Sequence, residues 1–391
     1  MRGEKRVAPG VVRIIVGAAV AGTLCAPLPC PAATVCVGPS CGDCTTISRG
    51  IGRAAEGDTV LVAPGVYTGV ENTQIDFRGR NVVLMSEQGP ELTVIDASNA
   101  RAFHFHTGES SASVVDGFTV RDGSTQGEPG AGFLIENASP TIRNCVIEDC
   151  FAMWNSYQAH GHGGGVYLSS SSSEISGCTF SNNGASNDGG AIWSDGPAVE
   201  IRDCVFVGNH AGNYGGALQF VDAVAPLVSG CVFINNIGAA EVWSFSACVY
   251  CLRSPAAIRD CTFAGNVTDD HGGTLCFEDS QGTVYNSIIS YTETGRAISV
   301  RLGRAAPTVL HCVSFENDGG DDLGSGAVDN LFEDPLFCGV ESGDVTLCAN
   351  SPCLPEGNVW SEAIGACDAG CGSCDSPVVM TSWGTIKALY Q

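Results

Sequence analysis

The sequence predicts an all-β solenoid, a parallel β-helix of about ten or eleven coils, and three observations support this. A similar string recurs every 25 to 33 residues, apolar and polar residues alternate within it, and glycine occupies 51 of 391 positions. A repeat of this length is one supersecondary unit that cannot bury its apolar face alone, so successive units must stack. Short alternating runs are typical of strands rather than helices.

Each repeat is anchored on one position, which is cysteine in six of eight copies. A β-branched residue stands three positions before every anchor, and an apolar residue stands two positions after seven of them. We expect these side chains to form stacked columns in the core. We interpret the cysteines as small apolar residues that fill the core; disulfides between coils are the second interpretation. The anchors are Phe118, Cys145, Cys178, Cys204, Cys231, Cys261, Ser287 and Cys312.

Bend residues flank the anchors. Glycine, asparagine or aspartate precedes seven of the eight, and these types most readily adopt a left-handed backbone. Each unit is therefore predicted to run strand, one-residue bend, strand, turn, and then a third strand that begins at Gly-Gly. A second set of bends is expected five residues after the anchor, at Asn183, Asn209, Asn236, Asn266 and Asn317.

The segments around the repeat divide the chain into five parts. A basic start and an apolar run precede small residues at Ala32 and Ala33, which is the pattern of a signal peptide. Further on, Ile47 and Ile51 are spaced along one helix face, as an end cap requires. The predicted parts are 1–33 signal peptide, 34–57 N-terminal cap, 58–337 parallel β-helix, 338–376 Cys-rich C-terminal cap and 377–391 tail.

Composition limits the partners. The formal charge is −24, so nucleic acid is excluded as a partner because phosphate binding needs a basic surface. No run after the leader is long and apolar enough to span a bilayer. We expect a monomer that is secreted or extracellular. In an oxidising compartment, the 21 cysteines favour disulfides or buried thiols over zinc.

The strings "GDTVLVAPGVYTG" and "NVVLMSEQGPELTVID" resemble secreted right-handed parallel β-helix proteins of the pectin-lyase-like superfamily. The units "FSNN…GGAI" and "FVGN…GGAL" are similar to the repeats of chlamydial polymorphic outer membrane proteins. The first resemblance implies polysaccharide lyases, hydrolases, carbohydrate-binding proteins or adhesins. The second implies surface display and adhesion.

Two enzyme types fit poorly. Lyases of the resembled superfamily often use lysine or arginine as base, yet Lys387 in the tail is the only lysine after the leader. Polygalacturonases carry Asp-Asp before Gly-His-Gly, whereas here Gly-His-Gly at 161–163 comes before Asp321 and Asp322. The catalytic roles of those families are therefore not transferred to this chain.

The residue before each Gly-Gly forms a candidate site column: His162, Asp188, Tyr214 and His271. Equal spacing adds Glu241, about two coils or ~9.6 Å from Asp188. Asp188 and Glu241 thus lie at the upper edge of the carboxylate separation in inverting glycosidases. Asp188, Glu241 and Asp270 are the candidate catalytic carboxylates on this face. The alternative is a polar turn column, since Asp, Asn and His suit turns.

Two coils carry insertions on this side, with Trp154 and Tyr157 in the first and Trp243 in the second. Exposed aromatic side chains on loops stack on sugar rings, so these residues, with His162, Tyr214 and His271, are the predicted ligand-binding set. The alternative is that the aromatic rings pack down on the flank of the solenoid.

Metal sites are weaker candidates. Asp318, Asp321 and Asp322 lie in a carboxylate-rich loop that resembles a Ca²⁺ loop, and Ca²⁺ is the one cofactor that we consider; an acidic flexible loop is the alternative. The pairs His104/His106 and His160/His162 could ligate a metal, but two histidines alone are too few for a site.

We therefore expect a β-helix protein that binds an extracellular polysaccharide, or a host or cell surface, without catalysis. The first alternative is a polysaccharide lyase or glycoside hydrolase acting in a groove along the solenoid. The second is a structural envelope protein.

Overall fold

A computed structural model describes residues 32–39, 43–155, 161–238, 246–302 and 306–374. From Ala33 onward the chain forms one compact unit in which short parallel strands stack coil upon coil. This arrangement confirms the predicted parallel β-helix. Four sheets, named A to D below, run along the solenoid, and each coil passes through them in the order A, B, D, C.

Sheets A and B carry the regular part of each coil, and every strand pairs in parallel with its equivalent in the next coil. The strands of sheet A are Thr34–Val37, Thr59–Val62, Val83–Ser86, Val114–Asp116, Thr141–Arg143, Glu174–Ser176, Glu200–Arg202, Leu227–Ser229, Ala257–Arg259, Thr283–Tyr285, Thr308–Leu310 and Ala327–Val328. Those of sheet B are Gly65–Tyr67, Thr93–Asp96, Thr119–Arg121, Val146–Glu148, Thr179–Ser181, Val205–Val207, Val232–Ile234, Thr262–Ala264, Ile288–Ser290 and Val313–Phe315.

Sheets C and D close the coil on the other side. Sheet C contains the predicted third strand after Gly-Gly, and sheet D is a short ribbon just before it. The strands of sheet C are Phe103–Phe105, Phe133–Glu136, Val166–Ser169, Ile192–Ser194, Leu218–Val221, Val249–Leu252, Gly273–Glu278 and Arg296–Arg301. Those of sheet D are Ser124–Gln126, Phe151–Met153, Gly184–Ala185 and His210–Ala211.

The predicted columns form the core. Ile175 pairs with Ile201, and Ile201 with Val228, and all three are fully buried. Two positions beyond the anchors, Phe180, Phe206, Phe233 and Phe263 stack with ring centroids 4.9, 4.7 and 4.5 Å apart. Each coil alone would expose these rings, so stacking is what removes them from water.

The bends before the anchors also match the prediction, because Asn144, Asp203 and Asp260 have φ of 52°, 51° and 53°. His311 adopts the same conformation with φ 53°.

The second bend is different. The left-handed residue is the one before each predicted asparagine, such as Asn182 with φ 54° and Asn235 with φ 53°. The prediction of a bend at Asn183 and its equivalents is therefore wrong by one residue.

These asparagines instead form a buried ladder inside the solenoid. The Nδ2 of Asn183 donates to Oδ1 of Asn209 at 3.0 Å, and Asn209 donates in the same way to Asn236 at 2.9 Å. Each Nδ2 also donates to a carbonyl of the preceding coil, as Asn209 does to Phe180 at 2.9 Å. The ladder satisfies polar groups that would otherwise be buried without partners.

The anchor cysteines are buried free thiols, as expected of apolar filler; they are Cys145, Cys178, Cys204, Cys231, Cys261 and Cys312. Disulfides occur in the C-terminal cap, between Cys338 and Cys371 and between Cys348 and Cys374. Cys36 is also disulfide-bonded.

The N-terminal cap helix is Ile47–Arg53, the one α-helix among the described residues. It buries Ile47, Gly50 and Ile51. A β-carbon at Gly50 would lie 2.4 Å from Val37 Cγ2, so only glycine permits this close packing on the first strand. Sheet A already begins at Thr34–Val37 within the predicted cap segment.

The Cys-rich C-terminal cap folds along the outer face of sheet B. Its strands are Phe337–Gly339, Asp344–Cys348 and Ala369–Cys371, with a 3-10 turn at Val340–Ser342. Phe337, Leu347 and Ile364 are buried against outward residues of the last coils, such as Ile288 and Val313. The amide of Gly365 donates to the carbonyl of Asn286 at 2.9 Å.

The predicted signal peptide and tail lie outside the described residues, except for the last residues before position 34, and the five-part division of the chain stays a prediction. Within the described ranges no helix is long and apolar enough to cross a membrane.

Candidate functional site

The candidate site lies on the outer face of sheet C and on the loops that enter it from sheet D. Strand register locates one insertion here: Ile237 pairs with His210, 27 residues earlier, whereas Val249 pairs with Leu218, 31 residues earlier. The extra residues therefore fall between Ile237 and Val249. In the same way, the earlier insertion falls between Met153 and Val166.

Alternation along the strands turns one column of side chains away from the core. Val166 and Leu168 are fully buried in the core, so Tyr167 between them points outward. The register aligns it with the outward residues of neighbouring coils, which are Leu134, Tyr167, Trp193, Gln219 and Tyr250.

A second, polar column runs beside the first at the residue before Gly-Gly. The Nδ1 of His162 lies 3.1 Å from Oδ2 of Asp188, and both side chains are mostly shielded from solvent. The amide of Tyr214 donates to Oδ1 of Asp188 at 3.2 Å. The structure thus brings together His162, Asp188 and Tyr214 in three successive coils, as the repeat predicts.

The aromatic rings of the two columns contact one another. Tyr167 and Trp193 stack with centroids 4.5 Å apart and planes within 6°. The ring of His162 lies 5.7 Å from Trp193, and Tyr214 lies 4.5 Å from Tyr250. Burial, with Asp195 and Glu136 nearby, raises the pKa of Tyr167 to about 12, so its hydroxyl stays protonated at neutral pH.

Polar groups extend this face toward the last coils. Arg301 donates to Oε2 of Glu278 at 2.8 Å and to the hydroxyl of Tyr250 at 3.2 Å, and Tyr250 donates to Glu278. Burial and Glu278 raise the pKa of Tyr250. Gln219 is 3% exposed, and within the described part of the chain its Oε1 has no hydrogen-bond donor. A buried water molecule would satisfy it.

Of the predicted aromatic residues, Trp154 is described and is 54% exposed. It follows strand Phe151–Met153, and a β-carbon at Gly161 would lie 2.9 Å from its backbone nitrogen. Because Gly161 precedes His162, the backbone of Trp154 passes beside the margin of the polar column. Tyr157, Trp243 and Glu241 lie outside the described residues, and their roles stay predictions.

Asp270 and His271 are exposed on a turn in which Asp269 Oδ1 accepts a hydrogen bond from the His271 amide at 3.2 Å. The strand register places this turn three coils from Asp188. At ~4.8 Å per coil the separation is about 14 Å, beyond the roughly 6.5–9.5 Å of an inverting carboxylate pair. Asp188 and Asp270 therefore do not form such a pair with each other.

The suggested calcium ligands each stabilise a different part of the backbone. Asp318 accepts from the amide of Thr294 at 3.3 Å, Asp321 from that of Asn317 at 3.1 Å and Asp322 from that of Gly324 at 2.8 Å. Their oxygens do not all lie within 4.8 Å of one another. Calcium binding stays a prediction that requires the loop to rearrange.

Among the described residues, one group of three potential metal ligands has its donor atoms within 4.8 Å of one another. It consists of Cys338, Cys348 and Cys371. All three are disulfide-bonded, so they are not thiolate ligands in this form. The C-terminal Cys-x-x-Cys pair, Cys371 and Cys374, therefore supports the disulfide interpretation over zinc.

Sequence reasoning missed the outward column of Tyr167, Trp193 and Tyr250. The signal was available, because Tyr167 and Trp193 each stand four residues after the first glycine of their Gly-Gly pair. The predicted site residues were those of the loops and the turn before Gly-Gly, and the outward positions of the third strand were not among them.

The fold and this surface define the class: a parallel β-helix with a mixed aromatic and polar face along one sheet. The family model for the right-handed β-helix region matches residues 35–206 and 155–337, more than half of the chain, and the chain belongs to this family. No curated protein matches the chain.

Proposed function

We propose that this protein is an exported β-helix protein that binds polysaccharide on the outer face of sheet C without cleaving it. The observation that carries the proposal is the pairing of an aromatic column with a polar column over successive coils, centred on Trp193 and Asp188. Aromatic faces and edges pack on sugar rings, and carboxylate, imidazole and phenol groups bond to sugar hydroxyls.

The charge of the surface favours a neutral glycan over a uronate polymer. Asp188, Glu136 and Asp195 lie on or beside the columns, and Arg301 is already paired with Glu278. The chain as a whole carries −24. A polyuronate would meet repulsion at each coil, whereas neutral hydroxyls would meet acceptors.

Export is supported by the two disulfides of the C-terminal cap, because such bonds persist in oxidising compartments. The predicted leader agrees with this, and secretion or display at the outer-membrane surface, adhesin-like as in the resembled proteins, remains part of the proposal.

Binding is tested by affinity electrophoresis of the purified protein in gels that contain neutral or acidic polysaccharides. Trp154→Ala should weaken binding at least tenfold, since truncation of an aromatic hot-spot residue costs about 2 kcal/mol or more and about 1.4 kcal/mol is tenfold. Phe332→Ala is the matched control, because Phe332 is 57% exposed and belongs to the last turns of the solenoid. If Trp154→Ala is retarded by the polysaccharide as strongly as Phe332→Ala and the native chain, the proposed binding surface is wrong.

A glycan-cleaving enzyme is the second candidate, and the His162–Asp188 contact at 3.1 Å favours it, since such pairs perform acid–base catalysis. Reducing-sugar and unsaturated-uronate assays distinguish it from a binder. Product formation that disappears in Asp188→Asn would replace the binding proposal with this one.

A further inference from the structure

Two histidines on the first strand of sheet C share one face with two carboxylates from the neighbouring coils. Phe103 and Phe105 are fully buried in the core, so His104 between them points outward, and His106 follows at the same alternation. The register places Asp76 one coil before and Glu136 one coil after, because Ile75 pairs with Phe103 and Phe103 with Phe133.

The four side chains contact one another diagonally. The Nε2 of His104 lies 3.4 Å from Oε2 of Glu136, and the Nε2 of His106 lies 3.6 Å from Oδ2 of Asp76. The two imidazole rings lie side by side, with centroids 4.2 Å apart and planes 31° apart.

These separations are compatible with metal coordination as well as with a long hydrogen bond between His104 and Glu136. N–H···O hydrogen bonds have a usual length of about 2.9–3.0 Å. Two ligands bound to one zinc ion at about 2.0–2.2 Å, at the tetrahedral angle, lie about 3.3–3.6 Å apart. The nitrogen–oxygen separations of 3.4 and 3.6 Å match the edges of such a shell.

We propose that Asp76, His104, His106 and Glu136 bind one divalent transition metal ion, zinc by preference, on the outer face of sheet C. Imidazole and carboxylate donors suit zinc, copper or nickel, whereas calcium and magnesium take oxygen ligands. Two carboxylates neutralise the charge of the ion.

The imidazoles are available as ligands. Metal binding requires imidazole nitrogens that an ion can reach, and both rings keep part of their surface exposed to solvent. Two protonated rings at 4.2 Å would repel each other, so simple ion pairing of both histidines is a poor alternative.

Binding requires the side chains to rearrange. No three of the four residues bring donor atoms within 4.8 Å of one another, and the two Nε2 atoms turn toward opposite carboxylates. His104 and His106 keep 31% and 42% of their side-chain surface exposed, so rotation of the rings toward a common ion needs no repacking of the core.

The test is a zinc titration of the tag-free full chain against a chromophoric zinc indicator, without reductant so that the cap disulfides stay intact. One equivalent per chain should bind at pH 7.5. His104→Ala and His106→Ala should each weaken binding at least tenfold, and Glu136→Gln less. Cobalt should give the intense visible absorption of a four-coordinate site, and the double histidine variant should lose it.

His311→Asn is the matched control, because it removes a partly exposed imidazole outside this cluster and asparagine suits the left-handed bend there, as at Asn144. It should bind zinc as the native chain does. Far-UV circular dichroism verifies that each variant keeps its sheet content. The proposal is overturned if the native chain and the folded double variant take up the same amount of zinc. It is also overturned if the zinc uptake of both equals that of buffer without protein. Glycan binding by sheet C is independent of either result.

Discussion

At the scale of single residues, position within the repeat decides the role of a side chain more than its chemical type does. Asparagine at the bend before the anchor adopts a left-handed backbone, as Asn144 does. Asparagine five residues after the anchor extends inward and joins the ladder, as Asn209 does. The two sites look alike in the sequence, since both accept small polar residues, and only the backbone path separates them.

Because of the ladder, we expect the Asn209 side chain to contribute strongly to the stability of the fold. Asn209→Ala leaves the amide and Nδ2 of Asn183 without their acceptor, and it leaves the carbonyl of Phe180 without its donor. Each buried group without a partner costs about 1–3 kcal/mol, so the free energy of unfolding should fall by about 3 kcal/mol in urea denaturation. Asn213→Ala, at an exposed site, should cost less than about 0.5 kcal/mol. Equal losses in the two variants would contradict the ladder's role.

At the scale of elements, the sheets differ in how far sequence could predict them. Sheets A and B repeat their inward columns almost without exception, so strand, bend and strand were predicted in register. Sheet D was not predicted, because strands such as Gly184–Ala185 and His210–Ala211 are too short to show alternation. The candidate site was predicted in part: repetition located His162, Asp188 and Tyr214, whereas the aromatic column follows from strand register.

Sheet D contains a tightly packed ring cluster. A β-carbon at Gly184 would lie 2.3 Å from Phe151 and 2.4 Å from His210, so the two rings enclose the glycine from both sides. Phe151 and His210 have ring centroids 5.3 Å apart across the intervening coil. Glycine is required at this point because any side chain would displace both rings.

Burial lowers the pKa of His210. The unfolded chain therefore accepts a proton more readily than the folded one, and stability is lost as pH falls through the ordinary histidine pKa of about 6.5. Between pH 7.5 and pH 5, the free energy of unfolding of the native chain should fall by more than that of His210→Phe, as measured by urea denaturation. Phe332→Ala, which changes no titratable group at an exposed site, should show no such shift relative to the native chain. A parallel response of both variants would contradict burial as the cause.

At the scale of the whole molecule, the solenoid is a sum of coils, and its C-terminal cap is an added layer. The cysteine-rich composition predicted a stapled cap, but it could not show that this segment packs along sheet B, because that contact joins residues far apart in sequence. Ala366 donates to the hydroxyl of Thr262 at 3.0 Å, across 104 residues. Periodicity predicts contacts between neighbouring coils and carries no information about a segment without a repeat.

The cap should therefore detach without unfolding the solenoid, because each coil contacts only its neighbours. Cys338→Ser/Cys371→Ser opens a loop of 33 residues and should destabilise the cap by about 3–4 kcal/mol. Hydrogen–deuterium exchange should rise within Phe337–Gly339 and Asp344–Cys348. Protection of Val146–Glu148, a sheet B strand outside the cluster that the cap covers, should be unchanged. Cys367→Ser controls for loss of a thiol in the same segment, since Cys367 is free. Loss of protection throughout the coils would instead mean that the cap and the solenoid unfold as one cooperative unit.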